Sequence, residues 1–364
     1  MSNIFGRLFR FMTFGESHGT MMGAVIDGCP PNIAIDENMI QKWLDRRRPG
    51  KSRFTSQRQE TDKVKIVSGI INDKTSTITT GTPIGLIIEN HDQRSKDYSD
   101  IAKKFRPGHA DYSYQQKYGI RDMRGGGRSS ARETALRVAV GAIAHQVLQN
   151  MIGGDYAIHA GLVQMGKYKT NEKNYDWQGV WDNDFYTPDK TIITTFANYL
   201  DAIRKKGSSV GGMIKLVAHG IPAGLGSPIY GKLSADITAA MMSINATKGV
   251  DIGDGMAVAG MEAIDNNDQM ENFDHKGVKF LSNHAGGILG GISTGQDIIV
   301  QLAIKPTSSI LISQKTIDED FQNTDIITKG RHDPCVAIRA VPIVVAMMAI
   351  TLLDHLLLHR GQVG

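Results

Sequence analysis

The chain has only two cysteines, Cys29 and Cys335, in 364 residues, and they share no paired spacing. That excludes a disulfide framework and the four-ligand zinc patterns. Surplus charge is also scarce: 41 Lys and Arg against 37 Asp and Glu leave a net +4. So small an excess does not demand nucleic acid, although it suits an anionic small substrate. The N-terminal residues lack a signal-peptide pattern, and a cytoplasmic protein is expected. The strongest apolar run, residues 340–353, ends at Asp354. It is too short for a membrane span and predicts a buried helix over about 341–358. The glycine-dense turn from Asn283 to Gly291 has neither a Walker lysine nor G-x-G-x-x-G spacing, which excludes a P-loop or a Rossmann unit there. His355 and His359 stand four apart with no third ligand in sight, so a metal pair is disfavoured.

What the chain has in quantity is glycine, 40 residues, concentrated in polar turns. The most informative stretch is 121–150. Gly125, Gly126 and Gly127 supply backbone that can take positive φ and approach a ligand closely. Ser130 with Glu133 three residues later forms a capping-box pattern. The apolar residues Leu136, Val138, Ala139, Val140, Ala142, Ile143, Val147 and Leu148 then cover more than one face, as in a buried helix. A glycine loop feeding a helix N-terminus is a ready anion site. Arg121, Arg124, Arg128 and Arg132 crowd it, which predicts a phosphate or cofactor cradle.

Elsewhere, Asp36 is placed to cap a short helix carrying Met39, Ile40, Trp43 and Leu44, which ends in Arg46, Arg47, Arg48 and Pro49. Residues 63–90, 213–217 and 298–304 read as strands. Ser234 is placed to cap a helix running to Ile244. Residues 151–198 read as irregular and uninformative about chemistry. Arg128-Ser129-Ser130-Ala131-Arg132 and Arg331-His332-Asp333-Pro334-Cys335 each lead from a polar turn into a long buried helix, a weak sign of an internal pseudo-repeat.

His18 and His109 both sit in glycine-flanked turns, where an imidazole can act as an acid near neutral pH. A lone histidine is more often structural. Here the histidines accompany at least five arginine-bearing turns, and guanidinium binds phosphate and carboxylate bidentately. No metal cluster, reactive-cysteine motif or serine triad accompanies them. What remains is proton transfer or elimination on a polyanion, with a phosphate-bearing cofactor in the cradle. An RNA-binding protein would also use the arginines, but only Phe54, Phe105 and Tyr112 lie near the basic turns, too few for base stacking. A flavin oxidoreductase would share the cradle and would consume NAD(P)H.

Six motifs taken together resemble the chorismate synthase family. They are Gly15-Glu16-Ser17-His18-Gly19, Arg46-Arg47-Arg48-Pro49-Gly50, Arg106-Pro107-Gly108-His109-Ala110-Asp111-Tyr112, the run from Gly125 to Thr134, Lys305-Pro306-Thr307-Ser308-Ser309, and Arg331-His332-Asp333-Pro334-Cys335. The match runs in order from about residue 5 to 359. The resemblance implies one α/β domain over 1–364, with long buried helices sandwiched between antiparallel β-sheets, assembled as a homotetramer. It implies conversion of 5-enolpyruvylshikimate 3-phosphate to chorismate and phosphate by anti-1,4-elimination, dependent on reduced FMN without net redox change. Carried over by position, Arg128, Ser129, Ser130, Asn245, Ala246, Gly290, Lys305, Pro306, Thr307, Ser308, Ser309 and Arg331 would hold FMN. Arg47, Arg53, Arg106 and Arg132 would bind the substrate's phosphate and carboxylates. An NADP contact at Arg47 and Arg53 is secondary, with NADPH an indirect reductant. His18 would protonate the departing phosphate, His109 would donate to the reduced flavin, and Asp333 would help the flavin N5 remove the C6 proton. The chain lacks the insertions of fungal bifunctional members, which implies a separate flavin reductase. Neither a nucleic acid nor a membrane partner is expected.

Overall fold

A computed structural model describes residues 3–50, 53–55, 62–72, 76–90, 103–122, 126–273, 277–328 and 332–364. Arg58, the polar stretch 91–102, Arg124, Gly125 and Arg331 lie outside the described residues.

The first half builds an antiparallel sheet from β1 (Ile4–Phe5), β2 (Arg10–Gly15), β3 (Met21–Asp27), β4 (Val64–Ile66) and β5 (Ile84–Glu89), in the order β1-β2-β3-β5-β4. The second half builds another from β6 (Ala157–Met165), β7 (Tyr168–Lys169), β8 (Gly212–His219), β9 (Thr247–Ile252) and β10 (Ile298–Ile304), in the order β9-β10-β8-β6-β7. The helices are α1 (Glu37–Arg47), α2 (Asp111–Tyr118), α3 (Thr134–Ile152), α4 (Ile193–Lys205), α5 (Leu233–Met242) and α6 (Ala337–Val363). In β2 and β10 buried and less buried residues alternate, as a sheet with one face on the core requires. Helix α3 packs on β3 and β5, α6 packs on β6 and β8, and the two helices pack on each other between the sheets. Covered on both sides, α3 and α6 are apolar all round, which is why neither shows a polar stripe.

The pseudo-repeat is visible in the topology. With α2, β7, α4 and the short hairpins set aside, β2-β3-α1-β4-β5-α3 and β6-β8-α5-β9-β10-α6 use the same plan. Each lays its four strands side by side as first, second, fourth, third, with one helix before the third and a long buried helix after the fourth.

Asp36 caps α1 as expected, its Oδ1 accepting from the Met39 N–H at 2.6 Å. Three expectations need correction. Residues 151–198 are not irregular: they contain β6, an interior strand. Its burial on both faces removes the polar alternation that would have marked it. Helix α5 begins at Leu233 with no side-chain cap, so Ser234 lies inside it. Helix α6 is 27 residues long and runs straight through Pro342, so length does not exclude a membrane span. Burial marks it as a core helix: 89% of its most apolar window is covered by the rest of the chain.

Its far end ties the chain's beginning to its end. The Asp354 carboxylate, buried in α6, accepts the backbone N–H groups of Arg7 at 3.0 Å, Leu8 at 2.7 Å and Phe9 at 3.0 Å. Next to it, His355 Nε2 lies 2.9 Å from Asp236, which fills the role the sequence left open for that imidazole.

Candidate active site

Four polar segments converge on a cavity of about 420 Å³ beside the N-terminal ends of α3 and α6. The turn before α2 contributes Arg106, Gly108, His109 and Ala110. The approach to α3 contributes Gly126, Ser129, Ser130, Ala131 and Arg132, and the loop after β10 contributes residues 305–309. The approach to α6 contributes His332, Asp333 and Arg339, while Arg47, Asn245 and Ala246 complete the wall. The segments hold one another in place. Lys305 Nζ donates to Gly108 O at 2.5 Å and Ser308 Oγ to the same carbonyl at 2.9 Å. Thr307 Oγ1 donates to Asp333 O at 2.7 Å. Gly108 sits at φ +68°, and an added Cβ would lie 2.6 Å from Ser308 Oγ, so this clasp needs glycine.

The expected substrate arginines come with carboxylates: Asp333, already given a role from the sequence, and Asp62 and Asp111, which were not. Arg47, 1% exposed, lies 2.5 Å from Asp62, whose other oxygen is 2.7 Å from Arg132. Burial alone would raise the Asp62 carboxyl. Arg47, then Arg132, with Arg339 farther off, outweigh it and hold the group below its ordinary value. Arg106 makes a two-pronged pair with Asp111, both contacts at 2.7 Å, and Asp333 pairs with Arg339 at 2.7 Å. Five cations (Arg47, Arg106, Arg132, Lys305, Arg339) thus face three carboxylates (Asp62, Asp111, Asp333) among the described residues. The site stays positive, though less so than its arginines alone suggest. Asp111 stands five residues from its arginine and was within reach of inspection. Asp62 stands 15 and 70 residues from its two, and no local pattern marks it.

His109 is half-buried. Its Nδ1 lies 3.1 Å from Pro107 O and its Nε2 lies 2.9 Å from Ser309 Oγ. A carbonyl can only accept, so Nδ1 carries the proton and Nε2 accepts from the serine. Burial, reinforced by Arg106, lowers its pKa and favours this neutral form.

Among the described residues, Arg121 and Arg128 of the expected arginine cluster are engaged elsewhere, while Arg132 lines the cavity. Arg121 lies 3.4 Å from Asp111. Arg128 turns away from the cavity, donating to Gly15 O at 3.2 Å and Thr13 O at 3.0 Å and pairing with Glu133 at 2.8 Å. That pair also breaks the capping box. Ser130 accepts from the Arg132 N–H at 3.4 Å, while Glu133 is drawn to Arg128 instead of reaching back to Ser130. Two 3₁₀ turns, Gly127–Ser129 and Ala131–Glu133, precede α3 and use N–H groups that an anion cradle would offer.

Three other expected residues stand apart from the cavity lining. His18 lies in the turn between β2 and β3, with Nδ1 3.0 Å from Ser17 Oγ. Arg53 is exposed on the surface, 3.5 Å from Asp201 and over the Phe54 ring. Gly290 forms the turn of the small hairpin Ile288–Leu289 and Ile292–Ser293. The described part of the chain brings together His109, Asp333, Arg47, Arg106, Arg132, Ser129, Ser130, Asn245, Ala246 and residues 305–309.

Comparison with known proteins gives one consistent relationship. The chorismate synthase family profile matches residues 9–357. Chorismate synthase of Rhodopseudomonas palustris is 60% identical over 364 residues, covering 100% of this chain and 99% of its own length. That of Nitrobacter hamburgensis is 58% identical over 366 residues with the same coverage. A crystal structure of chorismate synthase superposes with a TM-score of 0.75 at 31% identity, over 97% of this chain and 92% of that one.

Proposed function

The chain belongs to the chorismate synthase family, a lyase family, and on that premise we propose that it eliminates phosphate from 5-enolpyruvylshikimate 3-phosphate in the anti-1,4 sense. The observation that carries the reading is the cavity wall. Arg47, Arg106, Arg132, Lys305 and Arg339 face a space of about 420 Å³, and the substrate bears one phosphate and two carboxylates. Arg47 and Arg132 hold substrate anions, with Arg106 supporting them.

The same cavity fits reduced FMN by its donors and acceptors. Lys305, Thr307, Ser308 and Ser309 offer a cation and three hydroxyls. Asn245 Oδ1 is buried with no hydrogen-bond donor facing it among the described residues, an acceptor available to a ligand. Ala246 holds φ at +70°, which turns its backbone out of the regular path. These residues, with Ser129 and Ser130, would hold the flavin, and Gly290 and Arg331 complete the family set. Arg128 serves indirectly, by fixing the wall to β2. When bound, reduced flavin supplies an electron-rich ring that stabilises charge developing as the allylic C–O bond breaks.

The reaction balances without an oxidant: a proton leaves C6, the C–O bond pair departs with phosphate, and a new double bond forms. By its family position His18, on the turn after β2 and outside the described lining, is assigned the proton given to the departing phosphate. The Asp333 carboxylate, oriented by Arg339, receives the proton that comes from C6. His109 stays neutral until incoming anions raise its pKa, and then donates. Arg53 is left to the family's NADPH contact, and a separate reductase reduces the flavin. We place the enzyme in the cytoplasm as a homotetramer, with 1–364 as one catalytic domain.

The test is phosphate release from the enolpyruvyl substrate under anaerobic conditions with photoreduced FMN. His18→Ala and His109→Ala should each lower turnover roughly 10²–10⁴-fold. Absence of phosphate release, or release that consumes NADPH stoichiometrically, overturns the reading.

A further inference from the structure

Asn90 follows β5 and has no role in the chemistry described so far. Its side-chain oxygen accepts from Arg132 Nε at 2.8 Å, and its amide nitrogen donates to Glu16 O at 3.1 Å and Gly19 O at 2.9 Å. Its backbone N–H donates to Thr20 O at 3.0 Å. The partners fix the amide's orientation, because a guanidinium only donates and a peptide carbonyl only accepts. Both side-chain donors are used, and so is the acceptor.

The carbonyls it grips bracket His18 in sequence. Other contacts hold the same turn, among them Ser17 Oγ at 3.0 Å from His18 Nδ1. Gly15 enters at φ +87°, the Gly19 N–H closes on Glu16 O at 3.0 Å, and Arg128 holds Gly15 O at 3.2 Å. Arg132, in contrast, is anchored independently by Asp62 at 2.7 Å. One side chain therefore joins the turn carrying His18 to a guanidinium on the cavity wall that Asp62 also holds.

We infer that Asn90 is a positioning residue that sets where His18 stands relative to the anion held at Arg132. The inference rests on the reading of His18 as the acid that protonates the departing phosphate. A proton donor must stand at a defined place relative to its acceptor, and a misplacement of about 1 Å costs on the order of 10² in rate. Holding the carbonyls on either side of His18 from the same group that orients the anion anchor sets that place. A purely structural staple would also bind these carbonyls, so the two roles must be separated by coupling to His18.

A double-mutant cycle does this, with Asn90→Ala, His18→Ala and the pair, measured as anaerobic phosphate release with reduced FMN. Asn90→Ala should lower kcat about 10²-fold with KM and FMN affinity much less affected. In the His18→Ala background the same change should cost almost nothing more. An equal loss in both backgrounds, or near-normal turnover of Asn90→Ala, overturns the inference. Near-normal turnover of His18→Ala alone overturns the acid assignment, and the role of Asn90 falls with it. Should Asn90→Ala fail to fold, Asn90→Ser keeps one donor and carries the same cycle.

Discussion

Asp333 Oδ2 lies 2.7 Å from Arg339 Nη1, joining the polar approach of α6 to its first turn. Its place just before a helix suggests a cap. Yet the N-cap position is Val336, with no side-chain cap bond, and the carboxylate instead orients a guanidinium that also donates to Arg47 O at 3.1 Å. The end of α1 and the approach to α6 thus meet at one arginine.

The pair has a measurable consequence. Asp333→Asn keeps the shape but removes the carboxylate charge 2.7 Å from a mostly buried guanidinium, which costs about 1–3 kcal/mol of stability. If the carboxylate also accepts the proton from C6, turnover falls by roughly 10² or more while FMN still binds. Arg339→Gln breaks the same pair and removes one cavity cation but spares the carboxylate, so it should lower turnover less than Asp333→Asn. Equal turnover losses in the two variants would reduce Asp333 to a structural partner.

His109 predicts a pH effect on binding. Burial and Arg106 lower its pKa, so the free protein holds it neutral near pH 7. An anion arriving beside it favours the protonated ring. Ligand binding should therefore take up a proton, and affinity should gain from this group as pH falls below neutrality. Titrating FMN between pH 6 and 8 in the wild type and His109→Gln isolates the term, because the ligand's own phosphate titrates alike in both. Parallel curves would show that His109 does not change charge on binding.

Acid stability should depend on a residue far from the chemistry. His145, half-buried and with Nδ1 2.9 Å from Tyr156 Oη, is pushed from its ordinary 6.5 to about 4, chiefly by desolvation and further by Arg46. A histidine with a lowered folded pKa binds fewer protons folded than unfolded. Its contribution is present above pH 6.5 and is lost as pH falls from there toward 4. At about 1.4 kcal/mol per unit the full loss is on the order of 3 kcal/mol. His145→Gln should flatten the acid limb of a Tm-against-pH curve by that order. An unchanged limb would place the acid sensitivity elsewhere.

Much of the fold was legible wherever one face of an element is wet. The Asp36 cap and the apolar positions of α1 were readable on those grounds, as were the strands around β4 and β5. Where both faces are covered the periodic signal disappears, which hid β6 and left α6 starting four residues late, at a proline that the helix passes through. The site was legible through its cations, because arginines and glycines crowd into turns. Asp333 was legible too, and Asp111 stands in the same motif as its arginine, but Asp62 was not, since it meets Arg47 and Arg132 only after folding. Asn90 was invisible for the same reason: nothing local to it says that a turn 71 to 74 residues away needs holding.

The last prediction concerns the contact on which both halves depend. Gly141 in α3 faces Ala346 in α6, and a Cβ built on Gly141 would lie 2.4 Å from Ala346 Cβ, 2.5 Å from its Cα and 2.9 Å from its carbonyl oxygen. On an isolated helix Gly→Ala is favourable by about 1 kcal/mol. Here the added methyl group must push two core helices apart, and overpacking of this kind costs about 1–3 kcal/mol or more. Two of the three close atoms belong to the backbone, so no rotamer change relieves them. Gly141→Ala should therefore lower Tm. Adding Ala346→Gly should recover only part of the loss, since the Cα and carbonyl contacts remain. Thermal melts of the two variants decide it: a stabilised Gly141→Ala, or full rescue by Ala346→Gly, would mean the helices have room to separate at little cost.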